Sequence, residues 1–233
     1  MLKTTPQSLV VKPVSGACNL NCAYCYYSAG RHSRAENSNK TMDAETLRLL
    51  VSRHMGSAGG EVVFGWHGGE PMLAGLDFYR QAVEAEKKYG RAGQKVLNGI
   101  QTNGLLVDRE WIDFFREYNF LAGISLDGPE EMHNKYRGET HGRVMKAVRM
   151  LKENSIPFSL LTVVNSGNAA HGKMIAEYFM NEGITSVQFL PCADTDGGGG
   201  MTECSITPEA YAEFLRTVFD AWMKSGKSRF SVR

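Results

Sequence analysis

The stretch Cys18-Asn19-Leu20-Asn21-Cys22-Ala23-Tyr24-Cys25 places three thiols in a C-x3-C-x2-C spacing directly after a short apolar strand. Thiolates at such short intervals suit the ligation of an iron–sulfur cluster or of zinc. Three protein ligands, where four would close the site, leave one position open for a group that is not protein. A zinc knuckle completed by a distant fourth ligand, or simply buried thiols, are the alternatives.

Length and composition predict one globular domain. The chain has 233 residues, of which 42% are hydrophobic and 22% charged, ordinary values for a soluble protein. With 26 basic and 25 acidic residues, bulk charge gives no reason to expect a nucleic-acid partner. We find no apolar run near the ~20 residues of a membrane span and no signal-peptide core, so a cytoplasmic location is expected. Clustered cysteines favour a reducing compartment, with Cys192 and Cys204 as thiols outside the metal site.

Strand and helix patterns alternate along the whole sequence. β-branched apolar runs predict six strands, and amphipathic stretches between them predict six helices. The first helix is expected to be capped by Thr41, with Asp43 in its first turn. The predicted strands are 8–14, 61–66, 96–101, 121–126, 157–164 and 186–190, and the predicted helices begin near residues 41, 76, 108, 142, 169 and 207.

This alternation predicts an α/β fold with a parallel sheet and right-handed helical crossovers. Six units are too few to close an eightfold barrel, so we expect a partial (β/α)6 TIM-like barrel. In such folds the loops at the carboxyl ends of the strands carry the chemistry. The cysteine stretch follows the first strand and therefore lies at this end.

Two further strands end in motifs suited to ligand binding. Gly68 and Gly69 let backbone approach a ligand closely, and the adjacent carboxylate of Glu70 can accept hydrogen bonds from an amine. After the third strand, the amides of Gln101 and Asn103 can hold a substrate or orient a cofactor, although a plain polar turn explains them equally well.

The fourth strand leads into residues suited to an anion. Ser125 and Arg137 together can bind a carboxylate through a hydroxyl and a guanidinium. Asp127 is expected either to contact a ribose or to stabilise a local turn. His133 is expected to support the site or to lie at the surface, because nothing in the sequence pairs it with the partner that a catalytic base requires.

The cysteine motif resembles the cluster motif of the radical S-adenosylmethionine (SAM) superfamily, and Cys-Ala-Tyr-Cys-Tyr-Tyr resembles its anaerobic sulfatase-maturating, SPASM-type branch. Residues 68–71, 101–104, 125–129 and 188–192 resemble further motifs of that branch. The resemblance implies a radical SAM partial barrel in which Cys18, Cys22 and Cys25 bind a [4Fe–4S] cluster. It also implies that SAM occupies the remaining iron and is cleaved to a 5′-deoxyadenosyl radical.

The resemblance also implies roles for individual side chains. Gly68, Gly69 and Glu70 would contact the amino group of SAM, and Ser125 and Arg137 would hold its carboxylate. Further expected cofactor contacts are Tyr24, Asp127 and Ala193, and expected substrate contacts are His67, Gln101 and Asn103.

By this resemblance the protein is a radical SAM oxidoreductase that converts a Cys or Ser of a sulfatase polypeptide, within a Cys/Ser-x-Pro-x-Arg segment, to Cα-formylglycine. Flavodoxin or ferredoxin would supply electrons. One alternative is a peptide-modifying radical SAM enzyme that forms thioether or carbon–carbon crosslinks. An alternative of another class is a non-catalytic iron–sulfur or peptide-binding module, or an inactive fragment.

The domain organisation is also predicted from the resemblance. Residues 1–233 are expected to form a radical SAM core domain, without the C-terminal auxiliary-cluster domain that members of this branch carry. The catalytic base of the family would lie beyond Arg233. We therefore expect the 233-residue chain to consume SAM without completing the formylglycine reaction.

Overall fold

The computed structural model describes residues 7–27, 41–196, 198–226 and 230–232. Two one-turn 3-10 helices, Pro71–Ala74 and Ala169–His171, accompany the main elements. The strands are β1 (Gln7–Val11), β2 (Glu61–Trp66), β3 (Lys95–Thr102), β4 (Leu121–Ser125), β5 (Phe158–Val164), β6 (Ser186–Pro191) and β7 (Ser231–Val232). The α-helices are α1 (Ala44–Ser57), α2 (Leu76–Tyr89), α3 (Arg109–Tyr118), α4 (Glu130–Arg137), α5 (His141–Glu153), α6 (Gly172–Asn181) and α7 (Pro208–Ser225).

The described strands form one sheet in sequential order from β1 to β7, and every neighbouring pair is parallel. Sequential parallel order with helical crossovers is the arrangement of a barrel wall. The predicted α/β partial barrel is therefore confirmed. All carboxyl ends of the strands point the same way, so the loops that follow them share one rim.

The structure differs from the expected elements in four places. The first strand ends at Val11 and not at residue 14, because the backbone turns there, with hydrogen bonds from Ser15 N–H to Lys12 O and from Ala17 N–H to Val14 O. Helix α4 was not predicted, because Glu130–Arg137 is polar on nearly every side and has no apolar stripe. Strand β7 is two residues long, too short for a periodic pattern. Helix α1 is capped by Asp43, whose carboxylate accepts from the Thr46 N–H at 2.8 Å, and not by Thr41.

The core lies between the outer face of the sheet and the helices. Alternate residues of each strand point outward, and on β2 these are the fully buried Val62, Phe64 and Trp66. The ring of Trp66 contacts Tyr79 of α2 edge to face, with centroids 5.4 Å apart, and Phe115 of α3 packs on Phe120 at 5.9 Å. Burial of each such ring stabilises the fold by about 1.5–3 kcal/mol.

The inner face of the sheet is less completely covered. A cavity of about 380 Å³, here called the inner cavity, lies against this face. It is lined by side chains of β2 to β5 together with Gly65, Gly99 and Gly123. Val10 of β1 is 65% exposed on the same cavity. Within the described residues, no helix is long and apolar enough to cross a membrane.

One carboxylate is buried between α2 and the sheet. Glu86 accepts hydrogen bonds from Asn98 Nδ2 at 3.2 and 3.0 Å, and Asn98 Oδ1 accepts from Trp66 Nε1 at 2.8 Å. Burial raises the pKa of Glu86 from 4.5 to about 7, although the Asn98 hydrogen bond opposes the shift. The folded state therefore holds a proton on Glu86 at pH values where the unfolded chain has lost it.

This difference predicts a pH-dependent loss of stability. Since the folded state binds the proton more tightly, the contribution of Glu86 to the free energy of unfolding falls as the pH rises from about 4.5 to about 7. Glu86→Gln should flatten this slope and stabilise the protein at pH 8 by about 1–3 kcal/mol. Urea unfolding at pH 5 and pH 8 measures it. Glu84→Gln, on the exposed side of the same helix, should leave the slope unchanged, and an unchanged slope in Glu86→Gln would contradict the prediction.

Candidate functional site

A cavity of about 520 Å³ lies at the carboxyl ends of the strands. Its wall is built from the loop after β1, from the ends of β2 to β6 and from the end of α4. The predicted site residues that line it are Cys18, Cys22, Tyr24, Cys25, His67, Gly69, Gln101, Asn103, Ser125, Arg137 and Ala193. Three other predicted site residues, Gly68, Glu70 and Asp127, are buried and do not line the cavity.

The two glycines after β2 bring the cysteine loop against the sheet. Gly69 N–H donates to Ser15 O at 2.9 Å, and Glu70 N–H donates to Ala17 O at 2.7 Å. A Cβ at Gly69 would lie 2.1 Å from Ala17 O, and Gly68 has a φ of +122°. Glycine is therefore required at position 69 by the lack of space and at position 68 by the backbone conformation. The two glycines therefore allow a close approach to the backbone that precedes Cys18, and their predicted approach to a ligand stays a prediction.

The Glu70 carboxylate connects the ends of β2 and β3. It is fully buried and accepts from the N–H groups of Met72 at 3.0 Å and Asn103 at 2.7 Å, and from Thr102 Oγ1 at 2.8 Å. Burial raises its pKa, and these hydrogen bonds oppose the shift. The structure does not bring Glu70 into the cavity, so its contact with an amino group stays a prediction.

Asn103 links the end of β3 to the cysteine loop. Its Nδ2 lies 2.7 Å from Asn19 Oδ1 and 3.8 Å from Cys18 Sγ, and its Oδ1 accepts from the Leu105 N–H at 3.0 Å. Asn19 was not among the predicted residues, and its position between the first two cysteines was the only signal for it. An amide donor next to Cys18 can stabilise a thiolate.

The donor chemistry of the three thiols fits an iron–sulfur cluster. Cys18, Cys22 and Cys25 all line the cavity. A cluster presents its irons at separate corners, so its ligands are spread apart. All five cysteines belong to the described part of the chain, and none forms a disulfide.

The charge of Arg137 is held at the rim by Asp127. Arg137 Nε lies 2.9 Å and Nη2 3.4 Å from the carboxylate oxygens, and the Val163 N–H donates to the same carboxylate at 3.0 Å. The Tyr24 hydroxyl donates to Asp127, and the Tyr24 ring lies 5.3 Å from the guanidinium carbon. Asp127 is fully buried and Arg137 is 8% exposed. Asp127 thus joins β4, β5, α4 and the cysteine loop.

This pairing leaves Arg137 able to bind an anion. Burial lowers the pKa of Arg137, but the Asp127 carboxylate and neighbouring groups outweigh this effect, so the net shift is upward and the guanidinium stays charged. Nη1 of Arg137 has no hydrogen-bond partner among the described residues. Ser125 also lines the cavity and accepts from Gln101 Nε2 at 3.2 Å. A carboxylate entering the cavity can therefore bind between Ser125 and Arg137.

His133 supports this arrangement from behind. The ring is fully buried, with Nδ1 accepting from the Asp127 N–H at 3.3 Å and Nε2 lying 3.0 Å from Thr140 Oγ1. Burial lowers its pKa from 6.5 to about 4, so the imidazole is neutral at neutral pH. Of the two positions expected for His133, the structure shows the supporting one, and the ring does not lie at the surface.

Comparison with known proteins gives the following matches. Residues 13–178 match the radical SAM superfamily. The chain is 36% identical to the cysteine-type anaerobic sulfatase-maturating enzyme of Clostridium perfringens, across 98% of this chain and 64% of that protein. It is 35% identical to the serine-type enzyme of Bacteroides thetaiotaomicron, across 98% of this chain and 60% of that protein.

A solved structure described as native anSMEcpe with bound AdoMet and Cp18Cys peptide is similar in three dimensions. It superposes with a TM-score of 0.89 and 36% identity, across 98% of this chain and 63% of that chain. The chain thus spans about 60–64% of the length of the relatives that it matches.

The buried ion pair predicts a large loss of stability when one partner is removed. Asp127→Ala leaves Arg137 buried without its counter-charge and should lower the free energy of unfolding by about 3–5 kcal/mol. Asp113→Ala, which removes the exposed partner of Arg116, should cost about 1 kcal/mol or less. Urea unfolding of the cofactor-free protein measures both.

The double variant Asp127→Leu/Arg137→Met provides the control, because it removes both charges and should recover much of the loss. Equal, small effects of Asp127→Ala and Asp113→Ala would contradict the assigned role of Asp127.

Proposed function

Because the chain belongs to the radical SAM superfamily, we propose that Cys18, Cys22 and Cys25 hold a [4Fe–4S] cluster and that the adjoining cavity binds SAM. The observation that carries this proposal is that the three thiols, the Ser125 hydroxyl and the Arg137 guanidinium line one cavity. Held by these three cysteines, a reduced cluster would supply the electron for the cleavage of SAM to methionine and a 5′-deoxyadenosyl radical.

The residues of the chain bind and orient SAM. The Ser125 hydroxyl donates a hydrogen bond to the SAM carboxylate, and Arg137 adds a charge-assisted hydrogen bond through Nη1. The backbone near Ala193 and the apolar Leu190 provide a surface for the adenine. We also propose Tyr24, Gly68, Gly69, Glu70 and Asp127 as SAM contacts, and their hydrogen bonds hold together the loops that form this pocket.

The proposed substrate is a sulfatase polypeptide with a Cys/Ser-x-Pro-x-Arg segment, whose Cys or Ser is oxidised to Cα-formylglycine. The similarity to sulfatase-maturating enzymes supports this substrate. His67, Gln101 and Asn103 line the cavity and are proposed to contact the peptide. Burial lowers the pKa of His67, which favours a neutral ring.

We propose further that flavodoxin or ferredoxin supplies the electrons, and that residues 1–233 form one core domain.

The cluster assignment predicts a specific loss of iron. The chain reconstituted without oxygen should bind about four irons, and the variant Cys18→Ala/Cys22→Ala/Cys25→Ala should bind almost none. Iron and sulfide analysis measures this. Cys204→Ala is the matched control, since Cys204 does not line the cavity, and it should retain the full iron content. Undiminished iron in the triple variant would exclude the assigned ligands.

The reaction is tested by following the transfer of a Cβ hydrogen from the peptide to 5′-deoxyadenosine. Peptides containing Cys-x-Pro-x-Arg or Ser-x-Pro-x-Arg, with deuterium on Cβ of the Cys or Ser, are incubated with the reduced holoprotein and SAM. We expect deuterium in the 5′-deoxyadenosine that mass spectrometry detects. Both peptides are needed because Cys-type and Ser-type relatives are almost equally similar.

Two outcomes would contradict the proposal in different ways. Cleavage of SAM without deuterium transfer from either peptide would exclude attack at Cβ. Absence of any SAM cleavage under strong reductant would instead favour the non-catalytic module.

A further inference from the structure

Gln101 of β3 and Gly123 of β4 are register partners in neighbouring strands. The Gln101 side chain lies across β4, where its Nε2 reaches Ser125 Oγ at 3.2 Å. A Cβ at position 123 would lie 2.2 Å from Gln101 Oε1 and 3.0 Å from Gln101 Cδ. The amide of Gln101 therefore occupies the space in which a side chain at position 123 would begin.

The other glycines that line the inner cavity do not have this neighbour. A Cβ at Gly65 would come no closer than 3.7 Å to Val10 Cγ2, and one at Gly99 would come no closer than 3.8 Å to Leu121 O, both ordinary contacts. None of the three glycines has the positive φ that would demand glycine for its backbone. Gly123 is thus explained by the position of Gln101 and not by backbone conformation.

The position of Gln101 decides how Ser125 can act. Ser125 Oγ accepts a hydrogen bond from the Gln101 amide, which uses one lone pair of the hydroxyl oxygen. The hydroxyl hydrogen therefore points away from Gln101. Among the described residues no acceptor takes this hydrogen, and Gln101, Ser125 and Arg137 all line the cavity. The hydroxyl can therefore donate to an anion bound at Arg137.

We propose that Gly123 and Gln101 are positioning residues for the SAM carboxylate. Gly123 provides the space in which the Gln101 amide lies, and the amide holds Ser125 as a hydrogen-bond donor to the ligand. This inference rests on the proposed function of the cavity. It assigns Gln101 to the SAM side of the site, in addition to the substrate contact proposed above.

The test is a double-variant comparison on the reconstituted holoprotein. The variants are Gly123→Ala, Gln101→Ala and the combination of both, with Gly99→Ala as the control on the same sheet face. The affinity for SAM is measured by equilibrium dialysis, and the melting temperature of each variant is recorded. Gly123→Ala should weaken SAM binding about fivefold, the loss expected for one hydrogen bond. Gly99→Ala should leave SAM binding unchanged.

The combined variant distinguishes positioning from a purely structural role. If Gly123 acts through Gln101, adding Gly123→Ala to Gln101→Ala should weaken SAM binding no further. Equal weakening by Gly123→Ala in both backgrounds, or no weakening in the unmodified background, would overturn the inference while leaving the proposed function intact.

Two further outcomes are decisive. If Gly123→Ala fails to fold, recovery of folding in the combined variant supports the proposal and failure of both overturns it. If the unmodified holoprotein binds no SAM, both the proposed function and this inference are overturned.

Discussion

The ion pair between Asp127 and Arg137 is the interaction on which the rest of the site depends. Removing a guanidinium from water is costly, and here the fully buried Asp127 carboxylate offsets that cost. The same carboxylate accepts from Tyr24 of the cysteine loop and from the backbone of β5. One buried charge therefore holds the cysteine loop, β5 and α4 in a fixed relation. In this low-dielectric setting the free side of Arg137 attracts an anion more strongly than a surface arginine could.

The fold and the position of the site were predictable from the sequence because both depend on periodicity. Alternating strand and helix patterns require parallel strands, and parallel strands place every carboxyl end at one rim. The cysteine motif and His67 follow such ends, Gln101 and Ser125 lie in the last residues of their strands, and the structure brings them to one cavity. Residue chemistry suggested Arg137 as an anion ligand, and the resemblance assigned it to the SAM carboxylate. Arg137 lies at the end of a polar helix that periodicity did not reveal.

The direction of each side chain was not predictable, since sequence gives the residue type at a strand end and not the face toward which it turns. Glu70 turns into the protein because two backbone N–H groups and Thr102 need an acceptor there. The Asp127 side chain turns toward Arg137 because the buried guanidinium needs a counter-charge. The requirement for glycine at position 123 arises from a neighbouring strand, so only the register of the sheet could reveal it.

We propose that Ser125 and Arg137 recognise the carboxylate of SAM. The most direct measurement compares the affinities of the holoprotein for SAM and for decarboxylated SAM, with and without Ser125→Ala. Ser125→Ala should weaken binding of SAM about three- to tenfold, the loss expected for a charge-assisted hydrogen bond, and should leave binding of the decarboxylated analogue unchanged. Equal weakening of both ligands, or of neither, would contradict it.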